Sequence, residues 1–545
     1  MNNTQKVLLI QPPFWDPVCV PLGIASLKAY AEKFNHIVEL IDFNTNPQIF
    51  GIQKEYFSEG IRQFPYWKNW NIYRNGTEML AFHQILYQYA KEKSNYKELV
   101  SQVLNINGRP NSEFISELNL ETFDDIFFKL YNQIENLLTK LLGTTKPNVI
   151  GCNLNNSTWG ATLYILRIAK QIMPEIKTVV GGPGPLMGIA SSESEIRTFY
   201  DSHDFIDYYV VGEGEVSFIN ILNNPELEPG ILDSNKDLTL EKIKKSAINM
   251  DDFPVPIFDN LDIDRYLYLS IASARGCPFE CSFCAETVFW KGYRLNKNVY
   301  DSIKELGEKY NRTSFYICDS LSNSIMSPLT NEISSNGKPY TLDAYLRADP
   351  ICTREKRTKK WYEGGLIRAR LGMESASQRI LDAMVKKTNP ENMQKSLYSL
   401  ANQGILTSTL WIICYPGETE SEFKETINFI KNNHKYIYQS DAWLFQYHPE
   451  GMAHSNEIDN EKGTKYRFSN ELNSILGVTP YIVKNDVMTQ EERFWRIEFF
   501  QNEMKLLSIP NPYTIFEMMS SIKHWKDLGH KTRWSPKKSM EHMTY

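Results

Sequence analysis

Arg275-Gly-Cys-Pro-Phe-Glu-Cys-Ser-Phe-Cys-Ala-Glu286 carries three cysteines, Cys277, Cys281 and Cys284, on one short stretch. Thiolate ligands select zinc, copper(I) or iron–sulfur clusters. A structural zinc site needs a fourth protein ligand, but the next cysteine is Cys318 and no histidine lies nearby. Three thiolates that leave one metal position open fit a [4Fe–4S] cube held at three corners. The spacing therefore favours an iron–sulfur site over zinc, a disulfide or a chance cluster.

The spacing C-x3-C-x2-C resembles the radical S-adenosylmethionine (SAM) superfamily, and Phe283 before the third cysteine also matches. Further motifs that resemble strand ends of that family's core follow in the right order. They are Asp319-Ser-Leu321, Tyr345-Leu-Arg347-Ala-Asp349, Gly372-Met-Glu374-Ser-Ala-Ser377 and Cys414-Tyr-Pro-Gly-Glu418-Thr-Glu420. Cys414 stands where a glycine is commoner in the family. The resemblance covers about residues 265–440.

This resemblance implies roles for individual residues. The three cysteines would hold a cluster whose open iron chelates the amino and carboxylate groups of SAM. The residues expected to contact SAM are Phe283, Asp319, Arg347, Glu374 and Ser375. Glu374 can pair with a ribose hydroxyl or the SAM ammonium group, or it can instead cap the following helix. In this family, one-electron cleavage of SAM gives methionine and a 5′-deoxyadenosyl radical, which abstracts hydrogen from an unactivated carbon.

The rest of the chain alternates β-branched strands with helices, which predicts an α/β architecture. Lys6–Ile10 is an uninterrupted apolar run, as a buried parallel strand requires. The strands predicted in the first half are 6–10, 36–42, 148–152, 177–180 and 207–211, with helices at 22–34 and 160–172. We expect a doubly wound, Rossmann-like parallel sheet with its ligand site outside the carboxyl ends of the strands.

The second half shows another alternation of strands and helices. With the resemblance above, this pattern predicts a partial (βα)6 barrel of the radical SAM type. Its predicted strands are 267–273, 314–318, 341–347, 369–373 and 410–414. The predicted domains are 1–235 with a helical insertion at about 45–145, a linker at 236–264, the radical SAM core at 265–445 and a helical C-terminal domain at 446–545. The insertion is rich in aromatic residues, which either pack that subdomain or cover a ligand.

The first half resembles the cobalamin-binding domain that precedes many radical SAM cores. The matching segments are Pro12-Pro13, Pro21-Leu-Gly23, Val180-Gly-Gly-Pro183 and Val211-Gly-Glu-Gly-Glu215. Glycines let the backbone approach a large flat ligand, although these can also be ordinary turns. The residues expected to contact cobalamin are Pro12, Gly23, Asn155, Gly181, Gly182, Pro183, Gly212 and Glu213. Some cobalamin proteins ligate cobalt through D-x-H-x-x-G after the first strand, and Trp15–Gly23 has no such histidine.

Composition narrows the class of protein further. The net charge of −6 gives no global basic field, so nucleic acid is not an expected partner. The apolar runs are too short to span a bilayer, and the N-terminus has no signal-peptide pattern. Eight scattered cysteines in 545 residues do not form a disulfide framework. These features predict a cytoplasmic location.

Together the two resemblances imply a cobalamin-dependent radical SAM enzyme, with C-methylation of an unactivated carbon as the first expectation. A radical cyclase, oxidase or rearrangement enzyme is the alternative, and a non-catalytic SAM- and corrinoid-binding accessory protein is a third. Expected partners are a small metabolite, antibiotic precursor or peptide as substrate, and a one-electron reductant such as flavodoxin or ferredoxin. The sequence assigns no catalytic acid or base, and His434, His448 and His454 are expected to be surface or packed residues.

Overall fold

The structure is a computed structural model of the chain. It describes residues 4–15, 18–65, 67, 76–104, 117–183, 199, 202–223, 231–233, 248–284, 286, 290, 292–337, 340–445, 464–466, 469–476, 482–484, 488–510 and 515–533. His448 and His454 lie outside these residues. The described part of the chain is built on two six-stranded sheets, one in each half.

The first sheet has the strand order β2-β1-β3-β4-β5-β6, and every pairing is parallel except that of β5 with β6. The strands are β1 Lys6–Gln11, β2 Ile37–Asp42, β3 Val149–Asn153, β4 Lys177–Gly181, β5 Tyr208–Val210 and β6 Ile231–Asp233. The apolar residues of β1 are buried because both faces of the sheet are covered. The strand order reverses between β1 and β3, and such a switch point opens a crevice for ligands.

Seven helices flank this sheet among the described residues. They are α1 Leu22–Lys33, α2 Pro47–Gln63, α3 Thr77–Ala90, α4 Tyr96–Leu104, α5 Glu121–Thr145, α6 Trp159–Ile172 and α7 Gly214–Asn223. Helices α2–α5 form the insertion, and α2 begins with Pro47 after Asn46, whose side chain accepts from two backbone N–H groups. Tyr56, Phe57 and Trp67 are buried in the core between the insertion and the sheet. These aromatics pack the insertion.

The second sheet is parallel throughout, in the order β14-β13-β12-β11-β10-β7. The strands of the second half are β7 Leu269–Ile271, β8 Ala274–Arg275, β9 Arg294–Leu295, β10 Ser314–Ile317, β11 Thr341–Arg347, β12 Leu366–Glu374, β13 Leu406–Ile413, β14 Gln439–Leu444, β15 Thr464–Tyr466 and β16 Ile482–Lys484. Strands β8 and β9 pair with each other, as do β15 and β16. Strand β14, which is not among the predicted strands, supplies the sixth strand of the partial barrel.

The second half has nine helices among the described residues; most pack along the second sheet, whereas the short helix that begins at Asn470 packs on the insertion. They are α8 Val299–Lys309, α9 Asn323–Asn336, α10 Glu355–Glu363, α11 Gln378–Ala383, α12 Pro390–Ala401, α13 Glu420–Asn433, α14 Asn470–Leu476, α15 Gln490–Leu506 and α16 Ile515–Asp527. Single 3₁₀ turns occur at Met250–Asp252, Ile263–Arg265 and His434–Tyr436. Helix α13 begins with a complete capping box, in which Thr419 and Glu422 exchange hydrogen bonds.

A segment of the first half extends the second sheet. Val20 N donates to the carbonyl oxygen of Tyr268 at 3.2 Å, and Tyr268 N donates to the carbonyl oxygen of Val18 at 3.0 Å. The residue between them, Cys19, pairs with Tyr268 in parallel sense. The free edge of β7 is therefore covered, and the two halves share backbone hydrogen bonds and one continuous apolar core.

The predicted α/β class with two parallel sheets is confirmed. The domain boundaries stay a prediction, and the C-terminal region contains the β15–β16 ribbon besides its helices. Among the described helices, none combines the length and the hydropathy needed to cross a membrane.

Candidate cluster and cofactor site

The three cysteines lie on a loop beyond the carboxyl end of β7, and the β8–β9 pair closes the base of this loop. Arg275 of β8 lies opposite Arg294 of β9. The next residue, Gly276, has a φ of +80°, and a Cβ at this position would overlap the carbonyl oxygen of Gly292. A residue with a side chain cannot occupy this turn without strain. The glycine before the first cysteine is thus required by the loop itself.

The three thiols lie close enough to influence one another. Burial raises the pKa of Cys284 to about 12, and Glu286, Cys281 and Cys277 also raise it. Burial raises the pKa of Cys277 as well, with Cys281 as a neighbouring charge. Thiolates in this position need a bound metal group to stabilise their charge. Among the described residues, no three His, Cys, Asp or Glu side chains converge tightly enough to hold a single metal ion.

Arg347 reaches from the end of β11 to the cysteine loop. Its Nη1 contacts Cys281 Sγ at 3.7 Å, and its guanidinium carbon lies 4.1 Å from the centroid of the Phe279 ring. Arg347 is only 4% exposed, yet its Nε and Nη2 have no hydrogen-bond partner among the described residues. Buried donors of this kind are almost always satisfied in folded proteins. An anionic group bound beside Cys281 would supply the missing acceptors.

Glu374 ends β12 and accepts a hydrogen bond from Lys386 Nζ at 2.7 Å. The Lys386 ammonium group also lies 5.4 Å from the centroid of the Phe283 ring, so one cation joins the strand end to the cysteine loop. Gly372 provides the room, because a Cβ there would lie 3.1 Å from Lys386 Nζ. Glu374 and Phe283 are predictable from their motifs, whereas Lys386 is not, because no motif spacing marks this lysine as their partner.

Backbone strain is concentrated at this end of the barrel. Glu374 and Cys414, at the ends of β12 and β13, have φ values of +62° and +66°. Val385 and Lys387, which flank Lys386, have φ values of +54° and +52°. Positive φ is uncommon outside glycine and is a genuine outlier for a β-branched residue such as valine. Strain of this kind gathers at ligand sites, where the surrounding structure imposes it.

Asp319, which follows β10, holds the segment before the cysteines. Its Oδ1 accepts from the backbone N–H groups of Ser273 at 2.7 Å and Ala274 at 2.9 Å, and its Oδ2 accepts from the Ser273 hydroxyl. Burial raises the pKa of Asp319 to about 7, and these hydrogen bonds oppose the rise. Both oxygens of this carboxylate are therefore already hydrogen-bonded within the chain. A contact between Asp319 and SAM stays a prediction.

Two further motif residues make internal contacts. Ser375 is fully buried, with its hydroxyl 3.4 Å from Thr426 Oγ1 on α13. Glu418 accepts from Cys414 N at 2.8 Å and from Arg496 Nη1 of α15 at 3.1 Å. Glu418 therefore fastens the strained end of β13 to the C-terminal region. The predicted contact of Ser375 with SAM stays a prediction.

Charged and aromatic side chains line the concave face of the second sheet below these strand ends. Arg370 forms two hydrogen bonds of 2.8 Å with Asp343. Its guanidinium carbon lies 4.9 Å from the ring centroid of Tyr316 and 5.7 Å from that of Tyr345. This group cannot be predicted from the sequence, because its members are separate along the chain and converge only through the strand register.

The carboxyl edge of the first sheet carries the residues predicted to contact cobalamin. Pro12 and Asn155 follow β1 and β3 and flank the point where the strand order reverses. Gly182 after β4 has a φ of +139°, and a Cβ there would lie 2.7 Å from Asn153 Oδ1. The turn therefore requires glycine on both conformational and steric grounds.

Open space adjoins two other glycines of this edge. A Cβ at Gly23 in the first turn of α1, or at Gly212 after β5, would meet no atom within 4 Å. Gly181 packs against Val210, and Pro183 is exposed. The edge is thus a shelf of bare backbone at the switch point, which suits a large flat ligand. The individual cobalamin contacts stay predictions.

Glu213 differs from its neighbours at this edge. Its carboxylate is buried and pairs with Arg275 and Arg294, the two arginines at the base of the cysteine loop. Glu215 also pairs with Arg275. The predicted cobalamin contact of Glu213 stays a prediction, and its carboxylate already has two cationic partners.

Residues 271–430, from β7 into α13, match the radical SAM superfamily. This segment of the chain is a radical SAM domain. This radical SAM domain contains the three cysteines and all four of the strand-end motifs, so the predicted family is confirmed.

Relatives and solved structures extend the likeness beyond the radical SAM domain. The anaerobic magnesium-protoporphyrin IX monomethyl ester cyclase of Rubrivivax gelatinosus is 25% identical over 55% of this chain, and the uncharacterized methyltransferase PH0819 of Pyrococcus horikoshii is 26% identical over 54%. The chain spans 56% and 66% of the lengths of these two relatives. Both alignments include little more than half of the present chain.

One solved structure matches nearly the whole chain. The radical SAM methyltransferase TsrM of Kitasatospora setae, with tryptophan and a SAM analogue bound, superposes with a TM-score of 0.60 over 96% of this chain and 99% of its own. The sequence identity is 13%, so the likeness concerns the fold. Another structure of TsrM contains cobalamin and a [4Fe–4S] cluster. This chain therefore shares its fold with a radical SAM methyltransferase whose solved structure holds cobalamin and a [4Fe–4S] cluster.

Proposed function

We propose that the protein is a cobalamin-dependent radical SAM enzyme that methylates an unactivated carbon. One observation carries the proposal: in a radical SAM domain, three adjacent thiols lie beside the buried Arg347, and two of its guanidinium nitrogens lack a partner within the described part of the chain. This donor set fits an iron–sulfur cluster with three protein ligands. When bound, the cluster and SAM supply a one-electron reductive cleavage, and cobalamin supplies a methyl carrier.

The chain's own residues would bind and orient these groups. Cys277, Cys281 and Cys284 would ligate the cluster, with Arg347 donating hydrogen bonds to the anionic groups beside Cys281. Glu374 would accept from the SAM ammonium or ribose, and Lys386 is the cation already paired with it. Phe283, next to the third cysteine, would help to exclude water from the site.

The carboxyl edge of the first sheet would receive the corrin. Support comes from the bare glycine backbone at the switch point and from the fold shared with TsrM, which is named a methyltransferase. The contacts would be made by Pro12, Gly23, Asn155, Gly181, Gly182, Pro183 and Gly212. We further propose a cytoplasmic location, a small-molecule or peptide substrate, and flavodoxin or ferredoxin as the one-electron donor.

Anaerobic reconstitution tests the proposal directly. The purified protein should bind about four iron and four sulfide ions per chain, take up corrinoid, and form 5′-deoxyadenosine from SAM when dithionite is added. Cys281→Ala should lose the cluster, whereas Cys152→Ala, a buried cysteine of β3, should keep it. Zinc on the wild-type protein, or no metal at all, would contradict the proposal.

Radical cyclisation without methyl transfer is the second candidate, because a relative 25% identical to this chain is named a cyclase. SAM labelled in its methyl group separates the two activities. Label in the product supports methylation, while a product without label supports cyclisation or another rearrangement. Tight SAM and corrinoid binding without any reductive SAM cleavage would indicate an accessory protein instead.

A further inference from the structure

Four charged side chains form a buried cluster between the two halves of the molecule. Glu213 accepts from Arg275 Nη1 at 2.9 Å and from both terminal nitrogens of Arg294. Glu215 accepts from Arg275 Nη1 at 3.2 Å and also from Nη2. The two carboxylate side chains are 2% and 5% exposed, and the two arginine side chains are 13% and 19% exposed. We call these four residues the glutamate–arginine latch.

The two arginines of this cluster lie on the paired strands that close the cysteine loop. Arg275 lies two residues before Cys277, and Arg294 lies directly opposite it in the β8–β9 pair. Like charges directly opposite each other on paired strands are destabilising. Glu213 accepts from both arginines and thereby compensates the repulsion. The hairpin that closes the cysteine loop consequently depends on a carboxylate from the other half of the chain.

Further contacts hold the latch in place. Arg275 stacks against Phe253 and Trp290, with its guanidinium carbon 4.5 Å and 5.3 Å from the two ring centroids. Arg294 Nη1 also donates to the carbonyl oxygen of Ile248, which joins the connector between the two halves to the same cluster. Every charge in the latch has an opposite partner, as burial of charged groups requires.

We propose that Glu213 and Glu215 are positioning residues that hold the cysteine loop against the carboxyl edge of the first sheet. They act through Arg275 and Arg294 and do not contact the reacting groups. Because Gly212 lies on that edge, the latch fixes the separation between the cluster loop and the proposed corrin shelf. This purpose rests on the proposed function, whereas the latch itself rests on the contacts alone.

Amide hydrogen exchange on the metal-free full-length protein tests the latch without any cofactor. Glu213→Gln and Glu215→Gln should each accelerate exchange in peptides covering residues 274–284 at least about tenfold. Glu213→Gln leaves Arg294 without its carboxylate partner, and Glu215→Gln leaves Arg275 with Glu213 alone. Glu59→Gln is the matched control. Glu59 is also a largely buried glutamate paired with an arginine, at 2.6 Å, but it lies in the insertion. This control should leave exchange in 274–284 unchanged.

Arg275→Lys separates geometry from charge. Lysine keeps the positive charge but cannot contact both glutamates through a planar fork, so its exchange should lie between wild type and Arg275→Gln. The double variant Glu215→Gln, Arg275→Gln should exchange no faster than Arg275→Gln alone, since both changes remove one interaction. On the reconstituted protein, the glutamate variants should alter the electron paramagnetic resonance spectrum of the reduced cluster, and Glu59→Gln should not.

Unchanged exchange in 274–284 for both glutamate variants would overturn the latch. Acceleration spread evenly over the whole chain would also overturn it, because that result indicates general destabilisation. If exchange in the loop accelerates in the glutamate variants but the wild-type protein takes up no iron, the latch is kept and the proposed function is contradicted. If the wild-type protein assembles a normal cluster but the glutamate variants show no change in loop exchange, the proposed function is kept and the latch is contradicted.

Discussion

Lys386 lies at the candidate site in the tertiary structure, although the sequence predicts no role for this lysine. It lies between Glu374 and the Phe283 ring, and the backbone on both of its sides is left-handed. A strained conformation on each side of a buried cation shows that the surrounding fold determines where this ammonium group lies. Lys386 thus balances the charge of the Glu374 carboxylate, which ends a central strand beside the cysteine loop.

Replacing this lysine tests its role as a partner of Glu374. Lys386→Met should lower the free energy of unfolding by about 3 kcal/mol, because it leaves Glu374 as an unpaired buried charge. Adding Glu374→Gln should recover most of this loss. Thermal midpoints of the metal-free proteins measure both effects. If the double variant is no more stable than Lys386→Met, then the lysine stabilises the site by packing rather than by charge.

Asp319 gives the protein a specific pH dependence. Its folded-state pKa of about 7 lies above the ordinary value of 3.8, because burial outweighs its hydrogen bonds. The folded chain therefore holds a proton that the unfolded chain releases, and this contribution to stability is full below about pH 4 and is lost as the pH rises through about 7. Asp319→Asn should reduce the fall in thermal midpoint between pH 5 and pH 8. Asp301→Asn, at an exposed position, should show the same fall in thermal midpoint as the wild type. If Asp319→Asn also falls as much as the wild type, then Asp319 is not the source of this pH dependence.

At the scale of elements, the cysteine loop is held from three directions. The β8–β9 pair closes its base, Asp319 binds the segment before it, and Ser282 N donates to the carbonyl oxygen of Met384 at 3.0 Å. The loop is therefore ordered by the chain itself. A site of this kind needs little rearrangement to accept its ligand, which reduces the entropic cost of binding.

The turn at Gly276 provides a test of this order. Gly276→Ala should disrupt the loop and reduce iron uptake severely, because the new methyl group overlaps the backbone at Gly292 and φ is positive. Gly337→Ala is the control, since Gly337 also has a positive φ, of +66°, but open space around it. It should cost only about 1 kcal/mol and leave iron uptake intact. Equal iron uptake by the two variants would show that the turn does not control assembly of the site.

At the scale of the whole molecule, the C-terminal helix α16 joins distant parts of the chain. Trp525 is fully buried in a cluster with Val18 of the first half, Phe50 of the insertion, and Leu267 and Tyr438 of the barrel. The same helix is followed by His530, whose ring stacks on Trp525 at 4.0 Å between centroids. The C-terminal region thus closes the molecule by packing on both halves.

Removal of this side chain should weaken the whole assembly. Trp525→Ala should lower the free energy of unfolding by about 3–5 kcal/mol, as expected for a large buried side chain. Trp495→Ala on α15 is the control, because Trp495 is 39% exposed, and it should cost clearly less. Thermal unfolding followed by circular dichroism measures the difference. Similar losses in the two variants would contradict a joining role for α16.

The sequence by itself determined the features that depend on local pattern. The cysteine spacing gave the superfamily, the apolar runs gave five strands of the first sheet, and the ordered motifs gave the second half as a partial barrel. These features can be predicted because each depends on a pattern of residue types within a short stretch of the chain. Strand β14 was missed because Gln439–Leu444 carries polar residues on the concave face and has no motif at its end.

Only the tertiary structure decided which side chains meet. Lys386 reaches Glu374, Arg347 reaches Cys281, and Glu213 binds arginines more than sixty residues away. The Gly-Glu-Gly-Glu motif alone predicts a corrin contact for the same glutamate, which stays a prediction, and gives no sign of its arginine partners. The physical reason is that charges pair through space at distances that chain folding sets, and burial makes each such pairing obligatory without leaving any periodic signal in the sequence.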